Sequence, residues 1–268
     1  MAMEIVSASL NTTFPEVNEM VANRDKKALI RMCNQQLDFG ATRIGFNCAT
    51  RLSSEVDDML WITRTLQDEM EVLVMPDSPN VEAIKAVVEA NKHGRVLIDS
   101  TTCEEESFSK IMPIVADNNS LITVLLHDEK GMPKTVEDRL RVMDTVERMS
   151  KEYNVKKSDM ILDSLIFPLS VDDQNGKVVL ESIKAIREKY PEYRHTCGLD
   201  NVCYGLPEEN YLAISFLMMC MAHGMDCVFL LLDAAKGAFL KAADAVLGND
   251  EYTMEYISAY RDGWFPKL

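Results

Sequence analysis

The sequence predicts an α/β fold of the TIM-barrel, or (β/α)8, class that forms a single domain over residues 1–268. Eight short runs rich in aliphatic and β-branched residues alternate with longer segments of helical periodicity. Strands that alternate strictly with helices form a parallel sheet, and eight such units at roughly thirty-residue spacing match a barrel of the usual ~250 residues. No linker or abrupt change in composition divides the chain.

Each predicted strand is separated from the next by a segment that predicts a helix. The strand-like runs are EIVSASLN (4–11), TRIGFNC (42–48), EVLVMPD (71–77), RVLIDST (95–101), LITVLLH (121–127), DMILDSL (159–165), RHTCGLD (194–200) and CVFLLLD (227–233). Several helical segments, such as TVEDRLRVMDTVERMSKEY, have a Ser or Thr in front that is suited to cap the helix. The region after residue 248 predicts one more helix at the end of the barrel. An open doubly wound sheet is the alternative, but the eleven glycines contain neither GxGxxG nor GxxxxGKS/T.

The charge balance argues against nucleic-acid and membrane partners. Acidic residues outnumber basic residues by 43 to 28, which gives a formal net charge of -15. A surface this negative repels phosphate backbones and anionic lipids. The run YLAISFLMMCMAHGM (211–225) is shorter than the ~20 residues that cross a bilayer and contains Gly and His, so it predicts a buried helix.

The seven cysteines predict a cytoplasmic protein with reduced, mostly buried thiols. They stand at positions 33, 48, 103, 197, 203, 220 and 227, mostly within apolar runs and without a CxxC pair. This pattern differs from that of a disulfide framework or a zinc site. The N-terminal segment has no basic residue before Arg24, so it does not resemble a secretory signal.

Polar side chains end every predicted strand, where barrel enzymes hold their active sites. They are Asn11, Asn47, Asp77, Asp99 with Ser100, His127, Asp163, Asp200 with Asn201, and Asp233. Asn and Asp are also common turn and capping residues, so a structural role is open for each one taken singly. Asp163 differs because it lies inside an apolar run, and a buried carboxylate needs a partner that offsets its desolvation. We therefore expect Asp163 to be functional.

Two chemistries are open to carboxylates that converge at one end of a barrel. They are able to hold a divalent metal, or to accept hydrogen bonds from an organic ligand rich in N–H donors. Most strand ends lack a companion Glu or His, so we expect no bound metal. No Lys ends a strand, which argues against a Schiff-base aldolase. We expect His127 to be a loop-entry residue, since Asp128 and Glu129 follow it and favour its hydration.

Six segments of the sequence resemble the pterin-binding methyltransferases. These include the methyltetrahydrofolate:corrinoid protein methyltransferases and the folate module of cobalamin-dependent methionine synthase. The segments are NxxFxEVxxxVxxRD (11–25), PDSPNVEAIKA (76–86), LIDSTTCEEESFSKIMPIV (97–115), KGMPKTVEDRL (130–140), LDSLIFPLS (162–170) and GLDNVCYGLP (198–207). They run nearly end to end in the family order, and GLxNVxxG before an apolar helix is a fairly specific motif. The family fold is a TIM barrel, usually a homodimer.

The resemblance implies roles for the strand-end residues. In the family, carboxylates and amides bind the 2-amino-4-oxo pyrimidine edge of folate, whose adjacent N–H donors suit a carboxylate. By resemblance Asp77 and Asp163 do this work, and Asp99 stands where relatives carry a pterin-contacting Asn. Asn201 corresponds to the Asn that reaches the methyl-bearing ring nitrogen and is the expected catalytic residue, because a hydrogen bond that strengthens as charge develops lowers the barrier. The other expected substrate-binding residues are Asn11, Ser100, Gly198 and Asp200.

The sequence departs from the family pattern at three places. Gly45 replaces the Asp of a DxN in which Asn47 is kept, Asp99 replaces an Asn, and Ala8 and Ser9 replace an acidic and basic pair. These changes alter the proton inventory around the pterin and leave open a non-catalytic pterin-binding subunit. Dihydropteroate synthase shares the barrel and the pterin site, but CGLDN stands where its Ser-Arg-Lys motif would lie.

The predicted function is the transfer of a methyl group between tetrahydrofolate and the cobalt of a corrinoid. The chain has no spare domain for cobalamin, so we expect a separate corrinoid protein to carry it and to dock over the strand ends. Divergence from the acetogenic type favours formation of methyltetrahydrofolate in a catabolic system, such as O-demethylation or betaine and methylamine breakdown. By resemblance we expect a homodimer.

Overall fold

The computed structural model describes residues 3–265, and over that range eight parallel strands are surrounded by helices. The strands are β1 (Glu4–Asn11), β2 (Arg43–Asn47), β3 (Val74–Asp77), β4 (Leu97–Thr102), β5 (Leu121–Leu125), β6 (Met160–Asp163), β7 (Arg194–Thr196) and β8 (Cys227–Leu230). The helices are α1 (Pro15–Ala22), α2 (Lys26–Asp38), α3 (Glu55–Glu69), α4 (Val81–Ala90), α5 (Glu105–Asp117), α6 (Val136–Glu152), α7 (Asn175–Lys189), α8 (Glu209–Ala222), α9 (Ala234–Val246) and α10 (Met254–Arg261).

The strands follow the order β7-β6-β5-β4-β3-β2-β1-β8, and every hydrogen-bonded neighbour is parallel. The two end strands also meet. A parallel bridge joins Gly198 to Phe229, and the Asp226 N–H donates to the carbonyl of His195 at 3.2 Å. The sheet therefore curls into a barrel, which confirms the predicted fold class.

The barrel interior is filled in three levels. At the N-terminal ends of the strands, Arg43 and Arg194 bind Glu4 with N–O distances of 2.8 and 2.6 Å. Above them lies an apolar cluster of Val6, Met75, Leu97, Leu121, Ile161 and Cys227, separate from the main core between sheet and helices. The C-terminal ends carry the polar side chains described below. The apolar level isolates these polar side chains from the ion pairs at the lower end.

The helix ends confirm part of the capping pattern read from the sequence. Thr135 and Asp138 form a reciprocal capping box at the start of α6. Asp233, predicted as a strand-end residue, instead caps α9 by accepting a hydrogen bond from the Lys236 N–H at 2.8 Å. This carboxylate therefore has a structural role that satisfies a free helix N–H. The helix expected after residue 248 is α10.

Four strands end two or more residues before their predicted runs end. β5 ends at Leu125, β6 at Asp163, β7 at Thr196 and β8 at Leu230. β4 instead continues beyond Asp99 to Thr102. Asp200 and Asn201 consequently lie on a short 3-10 helix, Leu199–Cys203, that follows β7. Apolar residues beyond these points pack in loops rather than in the sheet.

Helix α8 contains most of the apolar run that predicts a buried helix. One side of it is buried, but Tyr211 is 75% exposed and Met219 is 46% exposed, so the expectation holds for only part of the helix. No helix in the described part of the chain is long and apolar enough to cross a membrane. All seven cysteines are unpaired and buried, as predicted.

Candidate functional site

Four polar side chains form a lateral row where β1 to β4 end. The strand register pairs Asn11 with Asn47, Asn47 with Asp77, and Asp77 with Asp99. Asn47 Nδ2 donates a hydrogen bond to Asp77 Oδ2 at 3.0 Å. Asn11 Oδ1 accepts from the N–H and hydroxyl of Thr13 at 2.9 and 2.8 Å, which fixes the first side chain of the row. The strand register thus places Asp77 and Asp99, at one end of this row, side by side at the same level of the barrel.

Asp163 ends β6 and is 7% exposed, which confirms the expectation that it is buried. Its Oδ1 atom accepts a hydrogen bond from the Leu165 N–H at 2.7 Å. Burial raises the pKa of Asp163 from its ordinary value of 3.8 to about 6, although the Leu165 N–H, the Arg139 guanidinium and the Gly198 N–H all favour its charged form. Asp163 therefore changes its charge close to neutral pH.

Asp99 is the carboxyl group with the stronger perturbation. Burial raises its pKa well above 3.8, and the nearby charges of Asp77 and Asp163 raise it further. Burial and the charge of Glu55 also raise the pKa of Asp77, against the hydrogen bond from Asn47. Carboxylates that face one another in a site of low polarity cannot all ionise. The three aspartates therefore oppose one another's ionisation, and the protonated form is most favoured at Asp99.

One hydroxyl group near these aspartates is buried without a partner. Thr196 Oγ1 on β7 has no hydrogen bond within residues 3–265. Thr196 pairs with Asp163 in the strand register, so it lies at the same level of the barrel. The Thr123 hydroxyl on β5 instead lies next to Asp99 and favours its charged form. A buried polar group left unpaired costs about 1–3 kcal/mol, so the Thr196 hydroxyl fits a ligand that supplies a hydrogen-bond partner, as do the acceptor-rich aspartates.

A cavity of about 620 Å³ opens on the β3–β4 side of this site. Asp77, Asp99 and Ser100 line its inner end. Its outer rim carries the acidic residues Glu104, Glu106 and Glu129 and one cation, Lys110. The volume lies in the range of small-molecule sites. Asp163 and Asn201 lie outside its lining, so the cavity covers one half of the predicted set.

The other half of the predicted set of site residues follows β7 and consists of Gly198, Asp200 and Asn201. A Cβ atom at Gly198 would lie 2.9 Å from Asn201 Nδ2, so glycine is required for the Asn201 amide to lie over the backbone at this point. Asn201 is exposed, which leaves its amide accessible to a ligand. Asp200 is also exposed and is attracted by Lys236 of α9, so it lies toward β8 and α9.

The structure adds two residues that the sequence did not single out as site residues. Asn47 is one of the predicted strand-end residues, and this position is the sequence feature that identifies it. Arg139 belongs to an amphipathic helix and gave no signal, yet it lies beside Asp163. His127 lies in the loop after β5, where its Nδ1 is 3.7 Å from Glu104 Oε2.

The structure leaves no room for a side chain at Gly45. A Cβ atom on Gly45 would lie 2.8 Å from the carbonyl oxygen of Ser7 and 2.9 Å from Met75 Cε. No side chain fits there without movement of the backbone of β1. With respect to metals, the residues that the structure describes contain no group of three or more His, Cys, Asp or Glu side chains arranged to hold an ion.

Comparison with known proteins agrees with this geometry. Residues 7–230 match the family described as pterin binding enzyme. Over 97% of both chains, the sequence is 28% identical to a methylcorrinoid:tetrahydrofolate methyltransferase of Eubacterium limosum. It is 30% identical to a methionine synthase of Mycobacterium leprae over 183 residues, which is 64% of this chain and 15% of that protein.

Solved structures support the fold. A dihydropteroate synthase of Coxiella burnetii in complex with pteroic acid superposes with a TM-score of 0.68 at 12% identity, over 93% of this chain and 94% of that chain. The Yersinia pestis dihydropteroate synthase gives 0.68 at 14% identity, over 92% and 94%. At such identities the likeness concerns the barrel alone. The family match covers most of the sequence and confirms the resemblance to pterin-binding methyltransferases: the chain belongs to the family of pterin-binding enzymes.

Proposed function

We propose that this protein is a methyltransferase that binds tetrahydrofolate and moves a methyl group between its ring nitrogen and the cobalt of a corrinoid. The observation that carries the proposal is the convergence of Asp77, Asp99 and Asp163 toward the C-terminal ends of the strands, beside the unpartnered hydroxyl of Thr196. A pterin presents several N–H donors on one edge, and carboxylates are the acceptors that pair with them most strongly. The relatives named above support methyl transfer as the chemistry.

In this proposal each aspartate has its own task. Asp163 and Asp77 accept the adjacent N–H donors of the pyrimidine edge as carboxylates. Asp99 binds as a neutral acid, because its raised pKa keeps the proton that a hydrogen-bond donor needs. A neutral carboxyl offers one donor and one acceptor, as the amide of an Asn does. Asn11 and Ser100 lie beside these groups and complete the binding set.

Asn201 is the proposed catalytic residue. The corrinoid supplies a cobalt centre able to accept or donate the methyl group. Displacement from the ring nitrogen leaves negative charge on that nitrogen, and a donor already in place stabilises the charge without reorganisation. The Asn201 amide is exposed above Gly198, and Asp200 precedes it on the same turn. We assign Gly198 to the close approach of Asn201, and Asp200 to the outer edge of the substrate site.

We further propose that a separate corrinoid protein docks over the strand ends. Large apolar side chains are exposed on the loops that follow β2, β5, β6, β7 and β8: Leu52 (83%), Met132 (49%), Val171 (77%), Tyr204 (73%) and Leu231 (38%). Apolar and aromatic side chains on several loops around one site are suited to a protein partner rather than to a small molecule.

The physiological setting extends the proposal. The Eubacterium limosum relative is named for transfer from a methylcorrinoid to tetrahydrofolate, which supports formation of methyltetrahydrofolate in a catabolic demethylation system. We propose a cytoplasmic homodimer of 268-residue single-domain chains, in which the exposed apolar side of α8, with Tyr211 and Met219, contributes to the subunit contact.

One spectral experiment tests this function. The protein is mixed with methyltetrahydrofolate and cob(I)alamin, or with tetrahydrofolate and methylcobalamin, in the presence of the cognate corrinoid protein, and the cobalt spectrum is followed. Interconversion of the two cobalt spectra supports the proposal. Folate binding without any such change in either direction would favour the non-catalytic subunit. Condensation of a pterin diphosphate with 4-aminobenzoate would favour the dihydropteroate synthase alternative.

The same assay in single-turnover mode tests Asn201. Asn201→Ala should slow methyl transfer by roughly 10²-fold, the scale of losing one preorganised hydrogen bond, with a smaller effect on folate affinity. Asn249→Ala is the matched control, because Asn249 is exposed at the end of α9 and bonds only Asp244 at 3.1 Å through its side chain. An unchanged rate for the Asn201 variant would remove the catalytic assignment.

A further inference from the structure

Arg139 is a buried cation beside the substrate site. Its side chain is 1% exposed. The guanidinium donates to three backbone carbonyls: Nε to Ser164 at 2.5 Å, Nη2 to Leu165 at 2.8 Å and Nη1 to Thr135 at 3.0 Å. Burial lowers its pKa to about 10, which leaves it charged at neutral pH. All three acceptors are neutral, and the negative charges that favour the charged guanidinium are those of Asp138, its neighbour on α6, and then Asp163.

Two of these carbonyls belong to the residues that directly follow Asp163. Leu165 has a φ angle of +56°, a left-handed conformation that is uncommon for a bulky residue. Its carbonyl binds Arg139, while its N–H donates to Asp163 Oδ1 at 2.7 Å. One peptide segment thus connects the guanidinium to the carboxylate. Removal of the guanidinium would release the segment that orients Asp163.

The charge of Arg139 also acts on Asp163. Three titratable groups face this carboxyl: Asp99 from β4, Cys197 from β7 and Arg139 from α6. The pKa values of Asp99 and of the Cys197 thiol are both raised well above their ordinary values, which favours the neutral form of each group. Arg139 is consequently the charged neighbour that favours ionisation of Asp163.

We infer that Arg139 is a positioning residue for substrate recognition: through the Ser164 and Leu165 carbonyls it aims Asp163, and its charge keeps Asp163 a carboxylate when the ligand binds. The matching ligand element is a pair of adjacent N–H donors, as on a 2-amino-4-oxo pyrimidine. Arg139 acts through Asp163 and does not contact the ligand. This inference rests on the proposed function, in which Asp163 binds the pterin.

The test measures the ionisation of Asp163 directly, so that it needs no ligand. Protein labelled with 13C at the aspartate carboxyl carbons is titrated by NMR between pH 4 and 9, and Asp163→Asn identifies the signal by its loss. The variants are Arg139→Gln, which removes the charge, and Arg139→Lys, which keeps the charge without the planar fork. Arg141→Gln is the matched control, because Arg141 lies two residues along α6 and pairs with Asp128 at the surface.

Arg139→Gln should raise the titration midpoint of Asp163 by about one pH unit or more, the effect of losing a nearby opposite charge. For a midpoint one unit higher, the ionised fraction of Asp163 at pH 7 falls about twofold, so methyltetrahydrofolate affinity should fall about twofold more at pH 7 than at pH 9. The loss that remains at pH 9 is the loss of orientation that Arg139→Lys shares, while Arg141→Gln matches the wild type. Arg139→Lys should keep the titration midpoint of Asp163 and weaken methyltetrahydrofolate binding equally at every pH. The positive charge remains in this variant, and only the orientation of Asp163 is lost.

An unchanged Asp163 midpoint in Arg139→Gln, or an affinity loss of the same size at pH 7 and at pH 9, would overturn the inference. If Arg139→Gln does not fold, the lysine variant decides, since wild-type affinity in Arg139→Lys contradicts the positioning role and a pH-independent loss supports it. Wild-type protein that titrates as expected but binds no folate would instead reject the proposed function and leave the Arg139–Asp163 coupling measured.

Discussion

Replacement of Asp163 by Asn should make the ligand-free protein more stable. The pKa of Asp163 rises from 3.8 to about 6 on folding, so the folded state binds its proton more tightly than the unfolded state. This contribution to stability is complete below about pH 4, is lost as the pH rises toward 6, and stays lost above it. A rise of about two pH units, at ~1.4 kcal/mol each, corresponds to roughly 3 kcal/mol. Asn resembles the protonated acid and avoids this cost.

The assay is urea unfolding of the ligand-free wild type and Asp163→Asn at pH 5 and pH 8. The variant should gain on the order of 3 kcal/mol over the wild type at pH 8 and about half as much at pH 5, while its folate affinity at pH 8 falls strongly. Asp138→Asn is the control of opposite sign, because hydrogen bonds from the Lys134 and Thr135 N–H groups lower the pKa of Asp138. That carboxylate stabilises the fold at neutral pH, and its contribution is lost as the pH falls through its lowered pKa.

Equal stability of Asp163→Asn and wild type at pH 8 would show that Asp163 is not desolvated in the folded protein. A stability difference that does not change between pH 5 and pH 8 would show that repacking, and not ionisation, causes it. Either result would refute the reasoning that assigns Asp163 a charge-dependent role.

Three further substitutions have defined outcomes. Asp99→Asn should keep folate affinity within about threefold at pH 7, because the amide offers the donor and acceptor of the neutral acid. Calorimetry at increasing pH should show that the variant keeps its affinity where the affinity of the wild type declines. Gly45→Ala should lower the free energy of unfolding, measured with urea, by about 1–3 kcal/mol, because the added Cβ would lie 2.8 Å from the Ser7 carbonyl oxygen. An unaltered free energy of unfolding would mean that the backbone of β1 moves without cost. Tyr204→Ser should raise the KM for the corrinoid protein about tenfold and leave turnover with free cobalamin unchanged, and an equal effect on both would place Tyr204 outside the docking surface.

The fold could be predicted from the sequence because its signals are local and repeated. Eight apolar runs with turns after them are enough to identify the strands, and strict alternation with helices determines that they are parallel. The ends of β6, β7 and β8 could not be predicted, because apolar residues continue past them into packed loops. Whether an apolar residue lies in a strand or under a loop depends on neighbours far away in sequence.

The candidate site residues that lie near strand ends were predictable from the sequence. The residue that is positioned by packing, Arg139, was not. Asp77, Asp99 and Asp163 follow from position alone. Their shared level in the barrel also depends on register shifts within β1 and within β4, which leave no trace in the residue pattern. Arg139 could not be predicted as a site residue, because a charged residue in an amphipathic helix is usually exposed. Only its contacts with the loop after β6 explain its burial.

The lateral row has a consequence for how such an enzyme diversifies. Each of its members comes from a different strand and lies beside its neighbour in the strand register, above the apolar level that holds the barrel together. A substitution at one of these positions alters one polar group and leaves the packing of the other strands intact. In the proposed site, Asp at position 99 makes recognition sensitive to pH while the architecture stays constant.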